Sequence, residues 1–230
     1  MIVSIHQPNF FPWIGYFHKI NSSDKFVFLD NVDIVLGSKG AITHRTKILT
    51  PQGELWLTVP LVISESKKIN EILINNNQPW KEKQLNVIYN TYKKAPCFNK
   101  TFEFIKFLYS SDIENLAEFN KYIIVEMCGL LEIDTEMYIS SSLPVSTTDK
   151  NDRIIEICKY LNGSVYLSGN GAKKYNDESK YINNNIKLVY TTFAPPPYKH
   201  FNHPENIKGL SIIDVLMNIE LSDVKSILQQ

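Results

Sequence analysis

Cysteine is scarce in this chain: there are three in 230 residues, Cys97, Cys128 and Cys158. The number is odd and the spacings are wide, so neither a disulfide framework nor a zinc site is supported. The pattern predicts a reducing, cytoplasmic setting. A surplus of either charge is also missing, with 24 Lys and Arg against 24 Asp and Glu. Nucleic-acid affinity rests on neutralising phosphates, so a dedicated nucleic-acid binder is not expected. No apolar run approaches the length that spans a bilayer. The opening "MIVSIHQ" has no basic n-region and too short an apolar stretch for a secretory signal.

A chain of 230 residues can bury most of its apolar surface without staples. Aromatics are plentiful, with 12 Tyr and 12 Phe. They suit a core, and they also suit a pocket for rings or sugars.

"MIVSI" reads as a buried strand that finishes at His6. Pro8 disfavours helix at Gln7, Asn9 is a candidate cap, and Pro12 suits an early helical position. Trp13, Tyr16, Phe17 and Ile20 then recur at helical spacing, and Gly15 is expected to let this helix approach a neighbouring strand. "KFVFLD" reads as a second strand. "THRTKIL" and "ELWLTVPLV" flank the turn "TPQG", where Gly53 supports a reversal. "NVDIVLGSKGAI" reads as a loop.

From Pro79 the period becomes helical: Leu85, Ile88 and Tyr92 share a face, "TFEFIKFLYS" follows, and Asp112 is a candidate cap for "DIENLAEFNKYIIVEMCGLL". "MYISSSLPV" returns to strand, and "KNDRIIEICKYLNG" is an amphipathic helix with Ile154, Cys158 and Leu161 on one side. "SVYLSG" and "IKLVYTTFAPPPY" read as strands, and "LSIIDVLMNI" as a helix begun at Ser211. Strands alternating with helices predict an α/β fold. The expected form is a single mostly parallel or mixed sheet flanked by helices in one domain, residues 1–230, with 79–135 as a helical insertion or subdomain.

Ligands of open α/β sheets bind at the carboxyl ends of strands. Three such ends stand out: His6-Gln7-Pro8-Asn9, the loop from Asp30 to Arg45, and Ser168-Gly169-Asn170-Gly171. His6 is the candidate general acid or base, against the alternative of a structural ring bonded to nearby backbone. Gln7 and Asn9 offer donors and acceptors to an uncharged polar ligand. Arg45 and Lys47 alternate on a strand and so share a side, near Ser38 of "GSKG", where they would suit a diphosphate; the alternative is an exposed polar strand face. Ser168 and the backbone of Gly169 and Gly171 could surround an anion. "YLSGNGAKKY" has neither P-loop nor dinucleotide spacing, and Ser168 is in no G-x-S-x-G elbow. Asp30 and Asp33 have the spacing of a metal-binding pair in glycosyl transfer, but no metal site is assigned. Lys93 and Lys94 could activate a thiolate at Cys97, although nothing fixes a partner His. Cys128 and Cys158 read as core.

Taken in order, "HQPNFFPWIGYFHKI", "FVFLDNVDIVLGSKGAITHRTKILTPQGELWLTVPL", "YKKAPCF", "YLSGNGAKKY" and "LSIIDVLMNI" resemble the WbqC-like family of bacterial proteins across nearly the whole chain. The family motif falls on His6, Gln7, Pro8, Trp13, Gly15, Arg45, Lys47, Ser168, Gly169 and Ala172. The chain departs from it at His44, where Asn is common, at His18, usually acidic, and at Asn170, often Pro. Cys97 replaces a common aromatic, which weighs against a nucleophilic thiol. The resemblance implies a place in surface-polysaccharide (O-antigen) biosynthesis, with acyl or aminoacyl transfer onto the amino group of a sugar nucleotide. The implied partners are a sugar nucleotide and an acyl or aminoacyl donor, with no nucleic acid and no membrane span, and no cofactor is assigned. Two other functions stand beside it: a non-catalytic sugar-nucleotide binder or pathway assembly partner, and a glycosyltransferase-like activity. A strand ending in a His turn also has a weak likeness to ATP-using nucleotidyl transferases, whose paired His spacing is missing here.

Overall fold

In the computed structural model, which describes residues 1–37, 41–62, 65–203 and 207–230, the first strand β1 runs Ile2–His6 and is followed by α1, Ile14–Asn21, and β2, Lys25–Phe28. A hairpin follows, β3 (Arg45–Thr50) and β4 (Gly53–Thr58), then the short antiparallel pair β5 (Leu61–Val62) and β6 (Leu73–Ile74). Three helices make the middle section: α2 (Trp80–Tyr92), α3 (Phe98–Tyr109) and α4 (Leu116–Leu131). The chain returns to strand at β7 (Glu136–Ile139), then α5 (Lys150–Tyr160), β8 (Val165–Ser168), α6 (Glu178–Asn183) and β9 (Lys187–Tyr190). It ends in α7 (Ile212–Asn218) and α8 (Leu221–Leu228).

The main sheet has the order β7-β2-β1-β8-β9, and every pair in it is parallel. With helices on both faces this is the expected α/β fold, and the antiparallel pairing lies in the two small pairs outside it. From β1 the chain steps outward through β2 to β7, then crosses to the other side for β8 and β9. The order therefore reverses between β1 and β8. Ser4 is level with Leu167 in that pairing, so Ser168 leaves the sheet beside Ile5 and Gln7 follows just beyond.

Side chains alternate across β1. Ser4 and His6 face α1: Ser23 Oγ donates to Ser4 Oγ at 2.7 Å, and the His6 ring meets Tyr16 edge-on at 4.8 Å. Val3 and Ile5 face the opposite cluster, with Ile154, Ile157, Cys158 and Leu161 of the α5 segment. The middle helices do not keep a core of their own; Ile88, Ile105 and Phe119 join the same cluster as Phe26 and Phe28. Among the described residues, no helix is long and apolar enough to cross a membrane.

Phe10 and Phe11 anchor the turn after β1. Both are fully buried, Phe10 stacked on Phe119 at 6.2 Å and Phe11 on Tyr109 at 5.6 Å. Burying each ring contributes roughly 1.5–3 kcal/mol. Phe11 turns the chain at φ 39°, and its carbonyl is held by Thr46 Oγ1 and Ser211 Oγ at 2.8 and 2.9 Å.

Three local expectations are corrected. Asn9 caps no helix: it is buried, and α1 starts at Ile14 with no side-chain cap. The cap of α4 is Asn115, whose side chain accepts from Glu118 N at 3.1 Å, rather than Asp112, because the helix starts one turn later. Gly15 answers to Trp13, not to a strand. A Cβ there would fall 2.2 Å from the indole, which folds back over the helix start.

Candidate functional site

A cleft of about 710 Å³ opens at the carboxyl edge of the sheet. It draws on segments that follow three strands: Gln7 after β1, Leu29 and residues 31–35 after β2, and Ala172, Tyr175 and Asn176 after β8, while Ser168, Gly169, Asn170 and Gly171, the strand end marked in the sequence, do not line it. The start of α5 completes it with Lys150, Asn151 and Arg153, and Lys68 adds a third cation.

Each wall is fixed by long-range bonds. Gln7 Oε1 accepts from Thr43 Oγ1 at 3.2 Å, and the backbone carbonyl of Gln7 accepts from Tyr16 OH at 2.9 Å. The fully buried Asn120 donates through Nδ2 to Pro8 O and Thr43 O at 2.9 and 2.7 Å, clamping the turn to the segment before β3. On the β2 side, Asp30 is buried and both its oxygens are engaged: Ser141 N and Oγ donate at 3.0 and 2.7 Å, and Ser140 Oγ at 2.9 Å. That carboxylate joins the ends of β2 and β7. Asp33 lines the cleft, but Asp30 has no oxygen turned toward it as a metal pair requires.

Positive charge in the cleft comes from side chains, not from the positive end of α5. Asp149 already accepts from Asn151 N and Asp152 N, both at 3.0 Å, so the first amides of the helix are satisfied. Lys150 and Arg153 stand three residues apart on one helix face. Arg153 Nε donates to Thr147 O at 3.2 Å, which orients the guanidinium.

His6 sits at this edge on the α1 side, and its ring is not part of the cleft lining. Nδ1 lies 3.1 Å from Gln7 O. Burial, and then the charge of Lys19, push its pKa down to about 3, against the opposing backbone bond to Gln7. Lys19 is itself buried, 3% exposed, with Nζ donating to Ile5 O at 2.8 Å. Its partner is a carbonyl rather than a carboxylate, and burial lowers its pKa to about 7.

Arg45 and Lys47 share a face of β3 as their alternation predicts, but they are engaged on the hairpin. Arg45 Nε donates to Ala41 O at 2.9 Å and its guanidinium lies 4.4 Å from the Trp56 ring. Lys47 Nζ pairs with Glu54 at 2.6 Å. Neither lines the cleft. Ser168 is fully buried and accepts from Asn176 Nδ2 at 3.1 Å, so it supports the cleft from behind. Gly169 and Gly171 have open space where a Cβ would stand. Asn9 is buried with Oδ1 unpartnered, and Ser38 lies outside the described residues. Cys97 donates to Glu220 Oε1 at 3.5 Å; burial, and then this acid, raise its pKa, the reverse of what an activated thiolate needs.

Sequence reading missed Lys19, Lys150, Asn151, Arg153 and Asn176. The Lys150–Arg153 pair had a usable signal: two cations three apart, just after a helix cap that follows a strand. Asn176 and Lys19 had none, since their roles come from partners distant in the chain.

The strand order, the helices on both faces and the cleft at the reversal define an open, parallel α/β protein. The chain belongs to the WbqC-like protein family, whose model matches residues 7–226. It is similar to a Mycobacterium tuberculosis (strain ATCC 25618 / H37Rv) protein described as "Uncharacterized protein Rv1507c". The identity is 26% over 226 residues, covering 94% of this chain and 93% of that protein. No solved structure matches the chain.

Proposed function

We propose that this protein is a transferase of bacterial surface-polysaccharide biosynthesis that places an acyl or aminoacyl group on the amino group of a sugar nucleotide. One observation carries the reading: the cleft at the strand-order reversal, where small ligands of such sheets bind, holds the cations Lys150 and Arg153 on one helix face, with Lys68, paired to Glu71 at 3.7 Å, and one acid, Asp33, on the lining as well. A diphosphate is a ligand of matching charge, and Arg153 suits a bidentate grip on it. At about 710 Å³ the cleft has the size of a small-molecule site.

In the transfer the amine nitrogen bonds to the acyl carbon. The bond to the leaving thiolate or phosphate breaks with its electron pair, and the proton the amine gives up passes through water to that leaving group. An amine of ordinary α-amino acidity is partly unprotonated near neutral pH, so orientation is the larger demand on the protein. A ring with a pKa of about 3 has little basicity to offer. In this reading His6 is therefore a neutral hydrogen-bonding group that steadies Gln7, and His6→Asn should retain more turnover than His6→Ala. Arg45 and Lys47 take no part in holding the diphosphate, because Ala41, Trp56 and Glu54 engage them.

The test is to incubate the full chain with a panel of amino-sugar nucleotides and acyl or aminoacyl donors and to follow product mass. Product that is lost in a Lys150→Ala, Arg153→Ala double variant supports the reading. Tight binding with no product across the panel favours the non-catalytic binder instead.

A further inference from the structure

Two amides line the cleft at the strand-order reversal, and each has one end bound to a hydroxyl. Gln7 lines the cleft with its Oε1 engaged by Thr43 Oγ1 at 3.2 Å, which leaves Nε2 as a donor. Asn176 lines the same cleft with its Nδ2 engaged by Ser168 Oγ at 3.1 Å and Tyr190 OH at 3.3 Å, which leaves Oδ1 as an acceptor.

The framework that carries both amides is held in place. The Gln7 backbone is held through its carbonyl by Tyr16 OH at 2.9 Å, and the next carbonyl, Pro8 O, by Asn120. Ser168 is fully buried at the end of β8, and Tyr190 ends the neighbouring β9. β1 and β8 are adjacent and parallel, with Ser4 level with Leu167, so Gln7 and the Ser168 hydroxyl that holds Asn176 both lie at the ends of paired strands.

We propose that Gln7 and Asn176 recognise an amide-type edge of the ligand, a C=O next to an N–H. The ligand carbonyl accepts from Gln7 Nε2, and the ligand N–H donates to Asn176 Oδ1. A site built to bond both groups rejects an analogue that lacks one, because a desolvated donor or acceptor is left without a partner. Ser168, Tyr190 and Thr43 act here as positioning residues. The inference rests on the reading of the cleft as a sugar-nucleotide site and narrows it. Two parts of such a ligand carry this edge: the imide of a uracil-type base and the secondary amide of an N-acylated amino sugar.

Titration calorimetry of the full chain separates these sources. The probes are uridine diphosphate, its N3-methyl derivative, UDP-glucose and UDP-N-acetylglucosamine. If the base is read, N3-methylation weakens uridine diphosphate roughly 10-fold or more. If the sugar amide is read, UDP-N-acetylglucosamine binds roughly 10-fold tighter than UDP-glucose and N3-methylation has no effect. Asn176→Ala and Gln7→Ala should abolish whichever preference is found. Ser168→Ala and Tyr190→Phe should reduce it while weak binding through the diphosphate persists. Gln7 and Asn176 are only half-buried, and an unchanged thermal melt confirms that their variants fold. Uridine diphosphate that binds with both comparisons within twofold overturns the amide inference and leaves the diphosphate reading standing. No binding of any of the four probes at millimolar concentration overturns both.

Discussion

The hydroxyl of Tyr92 donates to Oδ2 of Asp214 across 2.5 Å, joining α2 to α7 deep inside the protein. Asp214 has no exposed surface, and it also accepts from Tyr198 OH at 2.6 Å, with His200 Nε2 2.9 Å from Oδ2. This carboxylate therefore ties the irregular segment after β9 to the helical core.

Removing the carboxylate should be severe. Asp214→Ala leaves the buried Tyr92 hydroxyl and His200 imidazole, and the half-buried Tyr198 hydroxyl, without their acceptor, and should cost on the order of 3–5 kcal/mol in urea unfolding. Tyr198→Phe removes one bond and should cost about 1 kcal/mol. Equal, small losses in both variants would show that Asp214 is not the hub of the cluster.

Lys19 makes stability depend on pH. Its pKa falls from 10.5 to about 7 on folding, so the folded protein binds fewer protons than the unfolded chain between those values. Stability should therefore climb as pH rises from about 7 toward 10.5, by up to the order of 5 kcal/mol. His6 has the same sign in a lower window, from about 3 to 6.5. Lys19→Met should be more stable than the parent at pH 7 and should flatten the slope between pH 7 and 9. An unchanged slope in urea midpoints would remove Lys19 as its source.

Gly15 and Trp13 should be coupled. Gly15→Ala places a Cβ against the indole and should destabilise by about 1–3 kcal/mol. In a Trp13→Ala background the same substitution should become neutral or stabilising by about 0.5–1 kcal/mol, since alanine is the better helix residue. A double-mutant cycle with no interaction between the two positions would refute the contact.

Cys97 should behave as an inert thiol. With its pKa raised by burial and by Glu220, it should alkylate more slowly than free cysteine at pH 7.5, and Cys97→Ser should leave turnover unchanged. Fast alkylation, or loss of turnover in that variant, would return the thiol to the mechanism.

What the sequence determined by itself is local. An apolar run ended by His6 and Pro8 makes β1. Gly53 at φ 116° makes the hairpin turn, and Ser211, whose side chain accepts from Ile213 N at 3.3 Å, starts α7. These depend on periodicity and turn chemistry between neighbouring residues, and so does the alternation that signals α/β. The strand ends at His6 and Asp30, whose following residues line the cleft, were legible for the same reason, whereas the contribution from α5 and Lys68 was not.

Tertiary structure decided what each polar residue does. Asp30 has the look of a metal ligand until Ser140 and Ser141, more than a hundred residues away, take up its oxygens. Ser168 passes from a ligand contact to a support for Asn176, and Arg45 and Lys47 turn to Trp56 and Glu54 on their own hairpin. Lys19 draws no reading from the sequence, and packing buries it with its ammonium on the Ile5 carbonyl of β1. Hydrogen-bond partners and burial are set by segments that meet only when the chain folds, and no spacing along the sequence encodes which ones will meet.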